Sequence, residues 1–232
     1  MGSIYLIRHG QASFGADDYD VLSPIGIRQA EVLGAYLAET GLQLDHAISG
    51  DLLRQKHTAS IALQQLPEAP ALAIDAAFNE FDAEAVIRTL LPALLPHEPD
   101  ALHIMRNAAH NRAEFQRLFA RLLDTWIGGD YNEPALQSWQ AFLEQVRGGL
   151  ERLLAAAHDG QRIAVFTSGG TITALLHLLT DIPVSSAFQL NWQIVNTSLS
   201  CLKFRGEQVT LASFNSHAHL QLLKTPSLIT YR

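Results

Sequence analysis

Two adjacent basic residues follow a short apolar run near the start of the chain. In "IYLIRHGQAS", residues 4–7 read as a buried strand, and Arg8 and His9 stand at its end. A neutral imidazole can act as a nucleophile, and an arginine offers a planar, permanently charged fork that suits the oxygens of a phosphate. The pair therefore indicates chemistry on an anionic group.

Two other junctions between a predicted strand and a predicted helix carry polar residues. The strand "DHAIS" leads into a helix with Arg54 in its first turn, and the strand "RIAVFTS" ends at Ser168, before Gly169. Ligands collect at the carboxyl ends of strands in an open α/β sheet, and helix N-termini attract phosphate. We expect these residues to line one phosphate pocket with Arg8 and His9.

A carboxyl group is also needed if a departing oxygen is to be protonated. Glu80, in "AFNEFDAE" just after a third predicted strand, is the best placed by topology, although Asp82 and Glu84 are close to it in sequence. A phosphate dianion nearby would favour the protonated carboxylic acid, which is the form that a general acid requires. Glu80 is therefore the candidate proton donor.

The elements that must position these residues alternate between strands and helices. Apolar runs predict four strands, at residues 4–7, 45–49, 71–75 and 162–168. Ser23 and Pro24 are a typical start for the first helix, which should end before Gly41. Two strands around a Gly206-Glu207 turn are predicted to form an antiparallel hairpin near the end of the chain.

A long helical region interrupts this alternation. Residues from about 83 to 157 read as a run of helices, with strand and helix patterns on either side of it. We expect a single α/β domain over residues 1–232 that carries this region as a helical insertion or cap.

Composition limits the classes of partner. The chain has 232 residues, 48% of them hydrophobic, a formal net charge of −7 at pH 7 and one cysteine. That charge argues against a general binder of nucleic acid or of a membrane surface, although a local basic pocket still suits a small anion. With no apolar stretch of membrane-spanning length and no pair of cysteines, the sequence favours a cytoplasmic protein. The oligomeric state stays open, a homodimer included.

Taken in order, several motifs resemble those of the histidine phosphatase superfamily, in its phosphoglycerate mutase-like branch. They are "LIRHGQAS", "LSPIGIRQAE", "SGDLLRQKHTA" and "FNEFD", with "NTSLS" and "SHAHL" near the end. The resemblance covers nearly the whole chain and implies a three-layer α/β/α sandwich with a mixed, mostly parallel sheet. It also implies His9 as phosphoryl acceptor, Arg8 and Arg54 as phosphate ligands and Glu80 as proton donor. It implies no metal or other cofactor.

One position departs from the family pattern. Relatives usually carry a second histidine directly before the glycines that follow the late strand, where this chain has Ser168. A serine can donate a hydrogen bond to a phosphoryl oxygen but supplies no positive charge to a transition state. His57 and His217 are candidates to take over that role, and Ser168 could equally be a helix N-cap. The predicted substrate-binding residues are Gly10, Gln11, Ser168, Gly169, His57 and His217.

Two further departures bear on the type of reaction. Ala12 and Gly15 stand where relatives often have Thr or Ser and Asn, so fewer polar side chains are available to hold phosphate. Together with Ser168 they favour a metal-independent phosphatase over a phosphoglycerate mutase. It would act through a phosphohistidine at position 9, on a small phosphorylated metabolite or on a phosphohistidine-like group. A weakly active or inactive protein that only binds phosphate is the remaining alternative.

Overall fold

A six-stranded sheet is the central element of the described structure. A computed structural model describes residues 1–13, 20–108 and 110–231. Its strands are β1 (Gly2–Arg8), β2 (His46–Ser49), β3 (Leu72–Ile74), β4 (Arg162–Thr167), β5 (Leu199–Arg205) and β6 (Gln208–Ser216). They lie in the order β3-β2-β4-β1-β5-β6. Strands β1 to β4 run parallel, whereas β5 is antiparallel to β1 and β6 to β5, which confirms the predicted mixed sheet.

The described residues also contain nine α-helices. They are α1 (Pro24–Glu39), α2 (Leu53–Leu63), α3 (Ala83–Leu94), α4 (Ala101–Arg106), α5 (Arg112–Gly128), α6 (Trp139–Ala156), α7 (Gly169–Thr180), α8 (Val184–Asn191) and α9 (Ala218–Gln221). Single turns of 3-10 helix occupy Ala76–Phe78 and Pro226–Leu228. None of the helices in the described part of the chain is both long and apolar enough to cross a membrane. Strands and helices together confirm the predicted α/β class.

The described chain divides into two compact units. The first unit is Met1–Glu80 with Gln145–Arg232, and it contains the whole sheet. The second unit, Phe81–Glu144, is helical, and in it the buried indole of Trp126 stacks on Phe81 with ring centroids 4.7 Å apart. That the helical region is an insertion or cap on a single domain stays a prediction.

Helix α1 begins where the sequence predicts it. The Ser23 hydroxyl accepts a hydrogen bond from the Gly26 N–H at 3.0 Å, and Pro24 is the first helical residue. Gly41 lies just beyond the helix with a φ of 65°, which glycine adopts without strain. One buried apolar cluster includes Ile7, Leu33, Leu37, Ala59, Ala62 and Phe166. Burial of these side chains, at about 25 cal/mol per Å² of apolar surface, holds α1 and α2 on the sheet.

Two glycines allow α1 to approach the end of β1 closely. A Cβ atom on Gly10 would stand 2.5 Å from the Gly26 carbonyl oxygen, and one on Gly26 would stand 2.1 Å from the Gln11 carbonyl oxygen. Both distances are far inside van der Waals contact, so neither position admits a side chain without a backbone shift. The Gln11 backbone is then fixed on both sides, because its N–H donates to Gln29 Oε1 and its carbonyl accepts from the Ser23 N–H.

Candidate active site

The ends of β1 and β4 meet side by side and hold the backbone of His9. Arg8 pairs in register with Thr167, and the His9 N–H donates to the Thr167 carbonyl at 2.8 Å. From the other side, the Asn196 Nδ2–H donates to the His9 carbonyl at 3.0 Å. His9 is only 3% exposed, so its ring lies in a fixed and largely dehydrated setting.

The His9 ring is held in one tautomer. Its Nδ1 lies 2.7 Å from the Gly10 carbonyl oxygen, and because a carbonyl can only accept, Nδ1 carries the hydrogen. Nε2 therefore presents its lone pair, and it accepts the Arg54 Nε–H at 3.2 Å.

The charge state of His9 follows from its surroundings. Burial is the largest cause that lowers its pKa well below the usual 6.5, and the positive charges of Arg54 and Arg8 add to it. The Gly10 carbonyl opposes this shift, because it stabilises the protonated ring. The ring is neutral at neutral pH, which is the nucleophilic form.

Arg54 is held between His9 and a carboxylate. It lies in the first turn of α2, is buried, and forms an ion pair with Asp20 at 2.7 Å through Nη1. The same carboxylate accepts the backbone N–H groups of Leu53 at 2.8 Å and Arg54 at 3.3 Å. Asp20 thus places negative charge at the N-terminus of α2, where the helix dipole favours an anion, and fixes the guanidinium beside the imidazole.

Arg8 reaches the N-terminus of a second helix. Its Nη1 donates to the Ile194 carbonyl, and its Nε would lie 3.7 Å from a Cβ atom on Gly169, the first residue of α7. That same Cβ would stand 2.6 Å from Asn191 Oδ1. The absence of a side chain at Gly169 therefore leaves room for the guanidinium and for Asn191 beside the start of α7.

Glu80 lies at the same helix N-terminus. Its Oε2 accepts the Gly170 N–H at 3.0 Å. The preceding residue is anchored twice, because the Asn79 side chain accepts the Asp51 N–H at 2.6 Å and its carbonyl accepts the Thr171 hydroxyl at 2.8 Å. These bonds hold the Glu80 carboxylate at the start of α7.

Ser168 is completely buried between this helix and α2. It stands at the N-cap position of α7, yet its side chain makes no capping bond. Instead its hydroxyl oxygen accepts the Gln55 Nε2–H at 2.8 Å, and Gln55 also donates to the Phe78 carbonyl at 3.1 Å. Since the oxygen acts as acceptor in that bond, the hydroxyl keeps its own hydrogen for a second partner.

The remaining predicted residues near His9 form hydrogen bonds that hold the chain directly after it. The Gly10 N–H donates to the Thr58 hydroxyl at 2.9 Å, and the Gln11 side chain accepts the Ser23 hydroxyl at 2.8 Å. Ala12 forms an isolated bridge with Leu22. Gly15 lies outside the described residues.

The two histidines that could replace a missing second histidine lie in other surroundings. His57 is exposed on α2, although Arg54, three residues earlier, is buried. His217 precedes α9, where its Nδ1 lies 2.9 Å from the Asn215 carbonyl and its Nε2 lies 3.2 Å from Gln221 Nε2. The structure gathers His9, Arg8, Arg54, Glu80, Ser168 and Gly169 at the ends of β1 and β4 and at the N-termini of α2 and α7.

Three residues of this arrangement were not anticipated from the sequence. Asp20 and Gln55 fix Arg54 and Ser168, and Asn196 holds the His9 carbonyl. Asn196 opens the "NTSLS" motif, so its sequence context carried a signal for that region. Gln55 lies within the motif "SGDLLRQKHTA" and had the same kind of signal, whereas Asp20 lies in none of the quoted motifs and its partners depend on where α2 lies on the sheet.

A match to a known family covers this arrangement. The family model of the histidine phosphatase superfamily (branch 1) matches residues 4–89 and 102–217, which contain every residue gathered around His9. The chain belongs to the histidine phosphatase superfamily.

Curated relatives in this superfamily include mutases and phosphatases. The chain is 37% identical over 89 residues to a 2,3-bisphosphoglycerate-dependent phosphoglycerate mutase of Rhizobium johnstonii, a match that covers 35% of this chain and 42% of the relative. It is 30% identical over 120 residues to a mitochondrial serine/threonine-protein phosphatase of Drosophila simulans, covering 51% of this chain and 40% of the relative. These matches span about two fifths of the relatives' length.

Solved structures of low sequence identity share the fold. A phosphoserine phosphatase mutant of Entamoeba histolytica with bound phosphoserine is similar at a TM-score of 0.66 and 18% identity, over 95% of this chain and 100% of that one. A phosphoglycerate mutase of Bacillus anthracis gives a TM-score of 0.63 at 18% identity, over 96% of each chain. At these identities the likeness establishes the α/β fold of the superfamily.

The tautomer and pKa of His9 can be tested by NMR. From about pH 6 to pH 8 the His9 side-chain ¹⁵N resonances should report a protonated Nδ1 and a bare Nε2 throughout. The unfolded chain binds a proton at His9 below about pH 6.5 whereas the folded chain does not, so the free energy of unfolding should fall as pH drops below that value. Above it, His9 should contribute no pH dependence.

A His9→Gln variant is the control, because it should lose this component of the pH dependence and keep the others. A His9 titration midpoint near the usual 6.5 in the folded protein would contradict the assignment.

Proposed function

We propose that this chain is a metal-independent phosphatase that transfers a phosphoryl group to His9 and then to water. The observation that carries the proposal is the neutral His9 ring, whose Nε2 lone pair lies beside the buried Arg54 guanidinium. An imidazole in this form is a nucleophile, and a guanidinium next to it can bind the oxygens of the group under attack. The proposed substrate is a small phosphorylated metabolite.

In the first step, His9 Nε2 attacks phosphorus while the bond from phosphorus to the leaving oxygen breaks. The Arg54 Nε–H, which donates to the imidazole in the free protein, then donates to a phosphoryl oxygen instead. Arg8 binds the same phosphoryl group from the side of α7. The leaving oxygen takes a proton from Glu80, which acts as general acid. The phosphorylated ring becomes positively charged, and the Gly10 carbonyl stabilises it through the Nδ1–H.

In the second step, water releases the phosphate. The Glu80 carboxylate accepts a proton from the attacking water, the bond between Nε2 and phosphorus breaks, and the ring returns to its neutral form. Glu80 ends protonated, ready for the next substrate. The Gly170 N–H holds this carboxylate at the start of α7 in both steps.

We propose that Ser168 stands where relatives place a second histidine and makes a weaker contact. Its hydroxyl hydrogen is left for a phosphoryl oxygen, because the bond from Gln55 uses only the hydroxyl oxygen as acceptor. A neutral hydroxyl supplies less stabilisation to the transition state than a cation, by roughly 2–4 kcal/mol on the scale of oxyanion-hole donors. Turnover is therefore slower than it would be with a histidine at this position.

Phosphoglycerate mutase activity is the second candidate. The 37% identity to a phosphoglycerate mutase over 89 residues favours it. A mutase must keep the phosphoryl group on the enzyme long enough to return it to a second hydroxyl, which calls for tight polar contacts. Ser168 and Ala12 count against that retention, so conversion between 2- and 3-phosphoglycerate should be undetectable beside hydrolysis.

Replacing the nucleophile should abolish activity. Wild-type protein should hydrolyse p-nitrophenyl phosphate in the presence of EDTA, whereas His9→Ala should give only the background rate, because no other group forms the covalent intermediate. Rapid quenching in alkali, in which phosphohistidine is stable, should trap a phosphorylated wild-type protein and no phosphorylated variant.

The matched control for this experiment is His158→Ala, which removes an exposed histidine after α6 and should leave the rate unchanged. Two results together would contradict the phosphatase and indicate a protein that only binds phosphate. They are equal background rates in wild type and His9→Ala, and a melting temperature that phosphate still raises.

Glu80→Gln should make the rate depend strongly on the leaving group. The amide can still accept the Gly170 N–H, so the local structure is kept while the donated proton is lost. We expect a fall in kcat/KM of about 10²–10⁴-fold for an alkyl phosphate, whose alkoxide leaves poorly, and a much smaller fall for p-nitrophenyl phosphate. An equal fall in kcat/KM for both substrates would show that Glu80 is not the proton donor.

Ser168→His should raise the rate. A cation at this position would stabilise charge on the phosphoryl oxygens, so we expect kcat/KM for p-nitrophenyl phosphate to rise about tenfold or more. Ser168→Ala is the control for the hydroxyl and should lower the rate. Melting temperatures of both variants check that the buried site near Gln55 tolerates the change, and an unchanged rate in a folded Ser168→His would mean that another group already fills this role.

A further inference from the structure

A short stretch after α9, residues 225–231, packs back onto the sheet-containing unit. It contains the single 3-10 turn Pro226–Leu228. Leu228 is buried in an apolar cluster with Val32 of α1, Val195 and Leu220, and Ile229 packs against the same cluster. Burial of these side chains anchors the 225–231 segment beside Val195, the residue directly before Asn196.

Gln29, a fully buried residue of α1, joins this segment to the chain just after His9. Its side-chain oxygen accepts the Gln11 N–H at 2.8 Å. Its Nε2 donates to the Leu228 carbonyl and to the Thr230 hydroxyl, both at 2.8 Å. Because a backbone N–H can only donate and a carbonyl can only accept, these partners leave the Gln29 amide one orientation.

Asn196, which is also fully buried, joins the same segment to His9 itself. Its backbone N–H donates to the Thr230 carbonyl at 2.9 Å, and its side-chain Oδ1 accepts the Thr230 hydroxyl at 2.9 Å. Its Nδ2 donates to the His9 carbonyl at 3.0 Å. One amide side chain therefore links position 230 to position 9.

The Thr230 hydroxyl is the group that the two amides share. It donates its one hydrogen to Asn196 and accepts a hydrogen from Gln29, so both of its roles are used. A buried network in which every member is satisfied is rigid, whereas loss of one member leaves its neighbours with unmet donors and acceptors. The positions of both amides therefore depend on one hydroxyl.

We propose that Thr230 is a positioning residue for His9 and acts through Asn196 and Gln29. The two amides hold the His9 carbonyl and the Gln11 N–H, and the Gly10 carbonyl that accepts from His9 Nδ1 lies between these two points. The network thus fixes both the backbone of the imidazole and the acceptor that selects its tautomer. The effect on catalysis rests on the proposed phosphatase function, whereas the effect on the backbone does not.

The first test measures amide hydrogen exchange by NMR in the full chain. Thr230→Val keeps the shape of the side chain and removes the hydroxyl. The Gln11 amide should then exchange at least about tenfold faster, relative to the buried amides of β4, because the Gln29 side chain that accepts from it is held less firmly. Thr230→Ser keeps the hydroxyl and should exchange as the wild type does.

The second test measures hydrolysis of p-nitrophenyl phosphate in the presence of EDTA. In Thr230→Val, kcat should fall about tenfold or more because the nucleophile is less well oriented, and KM should stay within about twofold because Arg8 and Arg54 are kept. Thr230→Ser should restore kcat.

Two controls separate positioning from general loss of stability. Thr225→Val removes a hydroxyl from the same segment, one that donates to the Leu223 carbonyl, and should leave both measurements unchanged. Leu44→Ala creates a cavity in a different apolar cluster and should lower the melting temperature. It should not speed exchange of the Gln11 amide relative to β4, and it should keep the wild-type kcat in the folded protein.

Several results would overturn the proposal. They are wild-type exchange or wild-type kcat in Thr230→Val, a Thr230→Ser that behaves like Thr230→Val, and a Leu44→Ala that reproduces the effects of Thr230→Val. A wild-type protein without phosphatase activity would instead contradict the proposed function, and the exchange measurement would then decide alone whether Thr230 holds the backbone around His9.

Discussion

An imidazole buried between two guanidinium groups cannot readily keep an added proton, and much of the site follows from that constraint. Burial is the largest cause of the lowered pKa of His9, and the positive charges of Arg54 and Arg8 lower it further. Burial and charge repulsion thus keep the ring neutral, which is the form that the proposed attack on phosphorus requires, while the Gly10 carbonyl fixes which nitrogen is bare. In the proposed reaction the arginines have two effects, since they help to keep the nucleophile neutral and then bind the group that it attacks.

At the N-terminus of each of the two helices at the site lies a carboxyl side chain from another part of the chain. Asp20 accepts from the first N–H groups of α2 and Glu80 accepts from Gly170 in α7. In each case an acidic side chain occupies a place where the helix dipole favours an anion. Asp20 also pairs with the Arg54 guanidinium, so one of the two arginine charges beside His9 is balanced by a carboxylate. In the proposed reaction the substrate phosphate binds beside these helix N-termini, where the helix dipole favours negative charge.

Local signals in the sequence predicted the elements well, because they depend on neighbouring residues. Ser23 and Pro24 mark the start of α1 by capping chemistry, and the apolar run before Arg8 is β1. The strand order was not predicted. The pairing of β1 with β4 joins residues that are more than 150 positions apart, and no local pattern reports such a contact.

The same distinction applies to the site. Arg54 and Glu80 were predicted because each follows a strand end, whereas Asp20 was not, because its role depends on the placement of α2. His57 shows the limit of helical spacing as a guide. Three residues advance a helix by about 300°, which leaves a 60° difference in direction, and here that difference separates a buried guanidinium from an exposed ring.

Thr197 has a φ of 61°, in the left-handed region that a β-branched residue rarely adopts. Its N–H donates to the Arg8 carbonyl at 3.0 Å, and its hydroxyl oxygen lies 3.1 Å from His219 Nε2. Glycine would relax the backbone there but remove the hydroxyl, and serine would keep the hydroxyl with less steric strain. The side chain at position 197 therefore has to suit a left-handed backbone and a contact with an imidazole at once, which couples its choice to the residue at position 219.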